Sequence, residues 1–224
     1  MKIVTLLPSA TEITCSLGLR KSLIAVSHEC DFPNDVTSLP RITSSIIPDN
    51  LSTNQIDASV EKAVRNGDAL YQINGDLLSK LKPDLIITQG ICDVCAVNVG
   101  TVQETMLLLP DLVKKNVQIL SLSGKNFSGI LSDINQVAVA TKTQNEANRL
   151  TQKLREHWQQ LQQTQSMTKP AVLMLEWPNP FFFGGHWVPE MIEVAGGVDV
   201  MGKTGLDSGR CTFKEIQEKD PDII

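Results

Sequence analysis

The sequence predicts two α/β lobes with mostly parallel sheets, joined by one long helix. Three observations carry this. Strand-like apolar runs alternate with helical patterns through the first half, which indicates a largely parallel sheet covered on both faces. A polar stretch of helical period, without a proline between Pro110 and Pro170, fills the middle of the 224 residues. Finally, a segment repeats: Leu81-Lys-Pro-Asp-Leu-Ile-Ile87 returns as Lys219-Asp-Pro-Asp-Ile-Ile224. A second sheet unit of the same kind is implied, cut off inside a strand.

Taken in order, residues 3–7 are a first strand leading into Pro8-Ser9-Ala-Thr-Glu12, where Ser9 and Glu12 have capping-box spacing for a helix closing at Gly18. Leu23 to Ser27 is a second strand ending at His28-Glu29-Cys30. A loop rich in Ser, Pro and Thr occupies 33–55, and a short helix runs over 56–64 to Gly67. Leu85–Thr88 and Gln118–Leu122 are apolar strands, with an amphipathic helix between them near 98–109. Ala147, Leu150, Leu154, Trp158 and Leu161 then recur at steps of three and four. They mark one long helix over 129–163, open to a nick at Thr141-Lys-Thr143. After a polar linker to Lys169, Pro170 restarts an extended chain. Residues 171–175 form a strand ending at Glu176-Trp177. A Pro/Phe/Gly loop then leads to His186 and a helix up to Ala195-Gly-Gly197. The domain reading is therefore a lobe over 1–128, a bridging helix over 129–165 and an incomplete lobe over 166–224.

Composition narrows the function. Hydrophobic residues at 42% and charged residues at 20% are ordinary for a globular protein. A net charge of −5 argues against nucleic acid, which attracts basic surfaces. No apolar run approaches the about 20 residues that cross a bilayer. The first strand is too short for a signal-peptide core, which as written keeps the protein in the cytoplasm. Five cysteines are an odd number, favouring free thiols, a metal site or redox chemistry over a disulfide framework.

Ligands of open α/β sheets bind outside the carboxyl ends of the strands. His28-Glu29-Cys30 and Gln89, followed by Cys92-x-x-Cys95, both leave such ends. Thiolates with an imidazole suit zinc or iron, so His28, Cys30, Cys92 and Cys95 form a candidate metal set. A redox disulfide, or cysteines that merely fill a loop, are the competing readings. In the second lobe, Gly184-Gly-His186-Trp187 pairs backbone freedom with an imidazole and a stacking surface; a plain turn with a core tryptophan is the alternative. Pro8 and Ser9 present helix amides that suit an anion, with ordinary capping as the competing reading. Glu29, Asp93 and Glu176 lie near strand ends, but no nucleophile–base or phosphate-loop signature accompanies them. Cys15 reads as core, His157 as solvated and Cys211 as a loop thiol.

Leu7-Pro-Ser-Ala-Thr-Glu12, Val26-Ser-His-Glu-Cys-Asp-Phe-Pro33, Leu81–Ile87 and Ala195-Gly-Gly197 resemble, in their order and spacing, the cobalamin and ferric-siderophore substrate-binding proteins of ABC importers. The resemblance spans the chain. It implies Rossmann-like lobes, a rigid helix limiting their closure, and a ligand held between them. It further implies recognition without catalysis, an ABC permease as partner and a metal-bearing tetrapyrrole or chelate as ligand. Cobalamin is the first choice, with a ferric siderophore or haem next. Pro8, Ser9, His28, Glu29, Gln89, Glu176, Trp177, His186 and Trp187 would contact that ligand. Relatives work in the periplasm or anchored outside the membrane, whereas no export signal precedes β-strand one here. The alternative is a cytosolic metal-binding or thiol-redox protein using Cys30, Cys92 and Cys95, with Zn or Fe bound directly.

Overall fold

The computed structural model of the protein describes residues 1–91, 96–163 and 168–224. Its apolar opening run becomes strand β1 (Ile3–Thr5), buried at every position. The chain turns through Leu7 into α1 (Pro8–Ser16). Pro8 takes the first helical position, where a missing N–H is harmless. The capping box expected from Ser9 and Glu12 therefore does not form: Leu7 is the cap residue, Ser9 lies inside the helix, and no side chain caps this end. Gly18, at φ 77°, closes the helix as anticipated, because glycine alone adopts that backbone without strain.

There follow β2 (Leu23–Val26), β3 (Thr43–Ser45), α2 (Thr53–Asn66), β4 (Tyr71–Ile73) and α3 (Gly75–Leu81). The chain continues through β5 (Leu85–Gln89), α4 (Val99–Leu107), α5 (Pro110–Lys114) and β6 (Gln118–Leu122). Four of these strands make a parallel sheet of order β2-β1-β5-β6. One of its faces buries Val4, Ala25 and Ile86 against Leu78, Val102, Met106 and Leu112. The chain winds outward from β1 to β2 on one side and from β5 to β6 on the other. The winding thus reverses between β1 and β5, and ligands of such sheets bind at that point. Residues 33–55, read as loop throughout, contain β3, which pairs antiparallel with β4.

The long helix is two helices, α6 (Phe127–Thr141) and α7 (Gln144–Gln163). The break falls on Lys142, at φ 61°, inside the anticipated Thr141-Lys-Thr143 nick. A non-glycine residue in the left-handed region cannot continue a helix. By internal contacts the chain divides into a first unit of Met1–Asn50, Ala58–Ser123 and Asp133–Leu150, and a second of Leu51–Asp57, Gly124–Ser132 and Thr151–Ile224. Both α6 and α7 supply residues to each unit. So does α2, which the sequence reading placed wholly in the first lobe.

The second unit holds β7 (Ala171–Val172), β8 (Leu175–Pro178), β9 (Phe181–Phe183), α8 (Val188–Val194), β10 (Val198–Asp199), β11 (Gly209–Arg210) and α9 (Phe213–Lys219). The strand expected over 171–175 is split between β7 and β8. β10 pairs parallel with β7, while β11, β9 and β8 form an antiparallel sheet that the Pro/Phe/Gly loop did not suggest. A capping box does exist here, at Thr212 and Glu215 of α9.

The repeated sequence segment is also a repeated structure. α3 and α9 each end on a left-handed residue directly before proline, Lys82 at φ 49° and Asp220 at φ 44°. The aspartate after the proline then accepts a backbone N–H at the entry to its unit's first strand: Lys2 N to Asp84 Oδ2 at 2.7 Å, just before β1, and Ala171 N to Asp222 Oδ2 at 2.8 Å, at the start of β7. Asp84 N and Asp222 N return the bond to the Lys2 and Ala171 carbonyls, both at 2.8 Å. Ile223 accordingly bridges parallel to Val172, as the repeat led one to expect.

Candidate functional site

At the switch point of the first unit, the chain leaving β1 passes Leu6 and Pro8, and the turn after β2 brings His28. A small crevice forms between them, lined also by Ser27, Tyr71 and Val97. The turn is held firmly. Arg41 Nη1 donates to the Ser27 carbonyl at 3.0 Å and to that of Cys30. Val26 N donates to Pro40 O and Ile42 N to Val26 O, so residues 40–43 bind the exit of β2 from outside.

The imidazole of His28 is oriented from β3. Thr43 Oγ1 lies 2.7 Å from Nδ1 and also accepts the His28 backbone N–H at 3.1 Å. The ring tilts against Tyr71, with centroids 5.6 Å apart. Nε2 stands 3.1 Å from Glu29 Oε1. The angles there do not make a hydrogen bond, and Nε2 has no other hydrogen-bond partner among the described residues. Nε2 is itself buried against the Glu29 carboxylate, so His28 and Glu29 form one fixed polar unit at the edge of the crevice. Pro8 and Glu29 share this crevice; Ser9 is exposed on α1 beside it.

Gln89 stands elsewhere in function. It is 3% exposed, its Oε1 accepts Ile91 N at 2.6 Å, and its Nε2 donates to Ala96 O at 3.2 Å. It braces its own loop and does not present its amide to solvent. Cys30 also departs from its expected part. Its side chain is 1% exposed, packed with Val26, Val36, Cys15 and Leu39, and its Sγ is 3.1 Å from Thr11 Oγ1. Burial pushes the thiol pKa up, so the thiolate a metal requires is disfavoured. His28 and Cys30 thus turn to different neighbours two residues apart. Cys92, Asp93 and Cys95 lie outside the described residues; among those described, no three His, Cys, Asp or Glu side chains are placed to hold a metal.

In the second unit the Gly184-Gly-His-Trp187 turn is locked to residues 205–208. His186, at φ 54°, donates its N–H to Leu206 O at 2.6 Å and accepts from Gly205 N at 2.8 Å. A Cβ on Gly185 would lie 2.4 Å from Ser208 N, which explains the glycine. His186 Nε2 sits 3.4 Å from Asp207 Oδ1, and the hydrogen bond and charge of Lys125 hold that carboxyl below its ordinary range. Trp187 lies beside the imidazole, centroids 5.7 Å apart. Glu176 is exposed on β8, and the Trp177 indole is tied to Asn179 O at 3.0 Å.

Thr43, Arg41 and Tyr71 were not found by sequence reasoning. Two of them sit in a stretch read as loop. Tyr71 carried one usable signal, being the chain's one tyrosine.

Two α/β units, the first with a small crevice at the switch point of its parallel sheet, give the chain the build of the α/β ligand-binding proteins. The chain belongs to the periplasmic binding protein family, whose model matches residues 3–224. It is 23% identical over 226 residues to a vitamin B12-binding protein of Vibrio cholerae, covering 100% of this chain and 69% of that one. A Yersinia pestis vitamin B12-binding protein is 21% identical, with 100% and 68% covered. Among solved structures, the periplasmic heme binding protein HutB of Vibrio cholerae superposes with a TM-score of 0.71 at 19% identity, covering 100% of this chain and 75% of that one. The periplasmic vitamin B12 binding protein BtuF of the same species gives 0.62 at 21%, covering 99% and 74%. Identities this low establish the shared fold.

Proposed function

We propose that the protein is the substrate-binding component of an ABC importer, and that it recognises a metal-bearing tetrapyrrole or chelate. Cobalamin is the first choice, with haem or a ferric siderophore next. The family consists of substrate-binding transport proteins, and the relatives just named bind vitamin B12 and haem. The observation that carries the reading is the family match over residues 3–224; the switch-point crevice, where Thr43 fixes His28 beside Glu29, is where a guest would make contact in the first unit. Pro8 and Tyr71, both part-exposed, would supply apolar contact there, and His28 with Glu29 the polar contact that orients the guest. Among the described residues no helix is long and apolar enough to cross a membrane.

The alternative, direct metal or redox use of Cys30, Cys92 and Cys95, is opposed at Cys30 by its burial and raised thiol pKa, while Cys92 and Cys95 lie outside the described residues. Titration with hydroxocobalamin and haemin, followed by absorbance and calorimetry, tests the proposal. Saturable binding weakened by His28→Ala supports it. Failure of both, and of ferric siderophores, with a stoichiometric metal ion in protein purified under reducing conditions, would return the reading to the alternative.

A further inference from the structure

The crevice at His28 measures about 20 Å³, room for one small group of a chelate and no more. A groove of about 430 Å³ opens next to it, and Tyr71, Ala96 and Val97 line both. The groove runs between the end of α2 and α4, past Val64, Asp68, Asn98, Thr101 and Glu104. All of these residues belong to the first unit. The larger part of a chelate seated at the crevice would therefore lie against the groove.

Three charged side chains line the two cavities, Glu29, Asp68 and Glu104, and all are exposed carboxylates. Among the described residues no lysine or arginine lines either cavity. A protonated His28 would have its charge paired by Glu29 at 3.1 Å, which leaves Asp68 and Glu104 with no cation in the lining. The imbalance continues along the chain. Between Lys21 and Lys62 stand six carboxylates against Arg41 alone, and between Lys82 and Lys114 there is no base. Arg41 bonds the Ser27 and Cys30 carbonyls. On α2, Glu61, Lys62 and Arg65 are exposed but stand outside the groove lining. Lys2, Lys21, Lys82 and Lys115 each precede a strand of the parallel sheet, at the end away from the crevice. The candidate residues of the second unit do not reverse the sign: Glu176 is exposed, and Lys125 is already paired with Asp207 at 2.7 Å.

A cleft lined by one sign of charge gathers ligands of the other sign and repels its own. We infer that the crevice and groove select a neutral or cationic chelate over an anionic one, an inference that rests on the function proposed above. A corrinoid suits such a wall, because its peripheral carboxamides can donate N–H groups to carboxylates. A cationic ferric hydroxamate suits it too. Haem, with its propionates, and ferric catecholates meet repulsion.

Matched pairs of chelates test charge with shape nearly constant. Titration of the whole chain, followed by absorbance and calorimetry, would compare cyanocobalamin with its monocarboxylates, in which one carboxamide becomes a carboxylate. It would also compare ferrioxamine B with its N-succinyl derivative, in which an ammonium tail becomes a carboxylate tail. At low salt the acid of whichever pair binds should be weaker by about threefold to tenfold, the Coulomb cost of one or two charges about 10 Å from three carboxylates in water-like surroundings. The gap should close at about 0.5 M salt, where exposed charges are screened within a few ångströms. Haemin should bind more weakly than the neutral or cationic chelate. Asp68→Asn with Glu104→Gln, exposed and isosteric, should narrow the gap about threefold. Acids or haemin bound as tightly as the neutral and cationic chelates, or a gap indifferent to the double variant, overturns the charge inference and leaves the proposed function standing. Absence of saturable binding by every one of these chelates overturns both.

Discussion

Replacing Cys30 by alanine should destabilise the first unit while leaving metal content unchanged. The side chain is 1% exposed and its sulfur is surrounded by Val26, Val36, Cys15 and Leu39. Removing it forfeits roughly one methylene's worth of transfer energy, about 0.8 kcal/mol. A residual void of some tens of cubic ångströms adds about 0.5 kcal/mol at the usual cavity rate. The lost Thr11 contact adds little, because Thr11 Oγ1 remains 2.6 Å from Thr5 Oγ1 and 3.3 Å from Leu7 O. The total is about 1–2 kcal/mol, or about 3–6 °C in melting temperature for a chain of this size. Burial raises the thiol above its ordinary value of 9.0, so the stability it contributes is present below that pH and lost as pH rises through the folded value. Parent protein should therefore weaken in the alkaline range more steeply than Cys30→Ala. Thermal denaturation across pH, thiol labelling in native buffer and in urea, and elemental analysis together make the assay. Rapid native labelling of Cys30, or loss of a stoichiometric metal with stability unchanged, would refute the packing argument.

Three further outcomes follow from geometry. Lys115→Met should move acid unfolding to higher pH: the Lys115 hydrogen bond, then the Lys2 N–H, hold the Asp84 carboxyl low, so its contribution is present above the ordinary carboxylate value and lost as pH falls through the folded one. The pair is part-exposed, so the effect stays under about 1 kcal/mol, and an unmoved acid midpoint would count against it. His28→Ala should weaken the bound chelate about tenfold or more, with Thr43→Val acting in the same direction more mildly, since each removes an oriented polar contact; parent-like affinity in both would place the ligand elsewhere. Gly185→Ala should destabilise the second unit by about 2 kcal/mol or more, because its Cβ would sit 2.4 Å from Ser208 N. Trp158, Trp177 and Trp187 all lie in that unit, so tryptophan fluorescence in urea reads it directly, and an unshifted midpoint would contradict the close packing.

The strands of the main sheet were legible because each is a short apolar run bounded by proline, glycine or a charged turn. β3 was not: Thr43-Ser44-Ser45 has no apolar alternation, and its strand character comes from pairing with Tyr71-Gln72-Ile73. The capping box at Ser9 misled because the motif requires the hydroxyl at the cap position, and Pro8 claims the first helical residue. In the site, the His28 motif was visible, but not that Cys30, two residues on, turns into the core. Sequence spacing fixes neither the direction of a side chain in a turn nor its long-range clamps. Here Arg41 and Thr43 supply those clamps from 11 and 15 residues away.

The order β2-β1-β5-β6 also bears on how the chain assembles while it is being made. β1 emerges first and becomes an interior strand, and each later strand joins an edge still free at that moment. None has to wedge itself between two neighbours already paired. Nascent chain leaving the ribosome could thus accrete this sheet strand by strand, with residues 118–122 completing it before α6 exists. The Asp84 clasp onto Lys2 N closes when β5 arrives, and Lys115 reinforces it only some thirty residues later. Such outward growth shortens the time an unpaired inner edge is open to aggregation during synthesis.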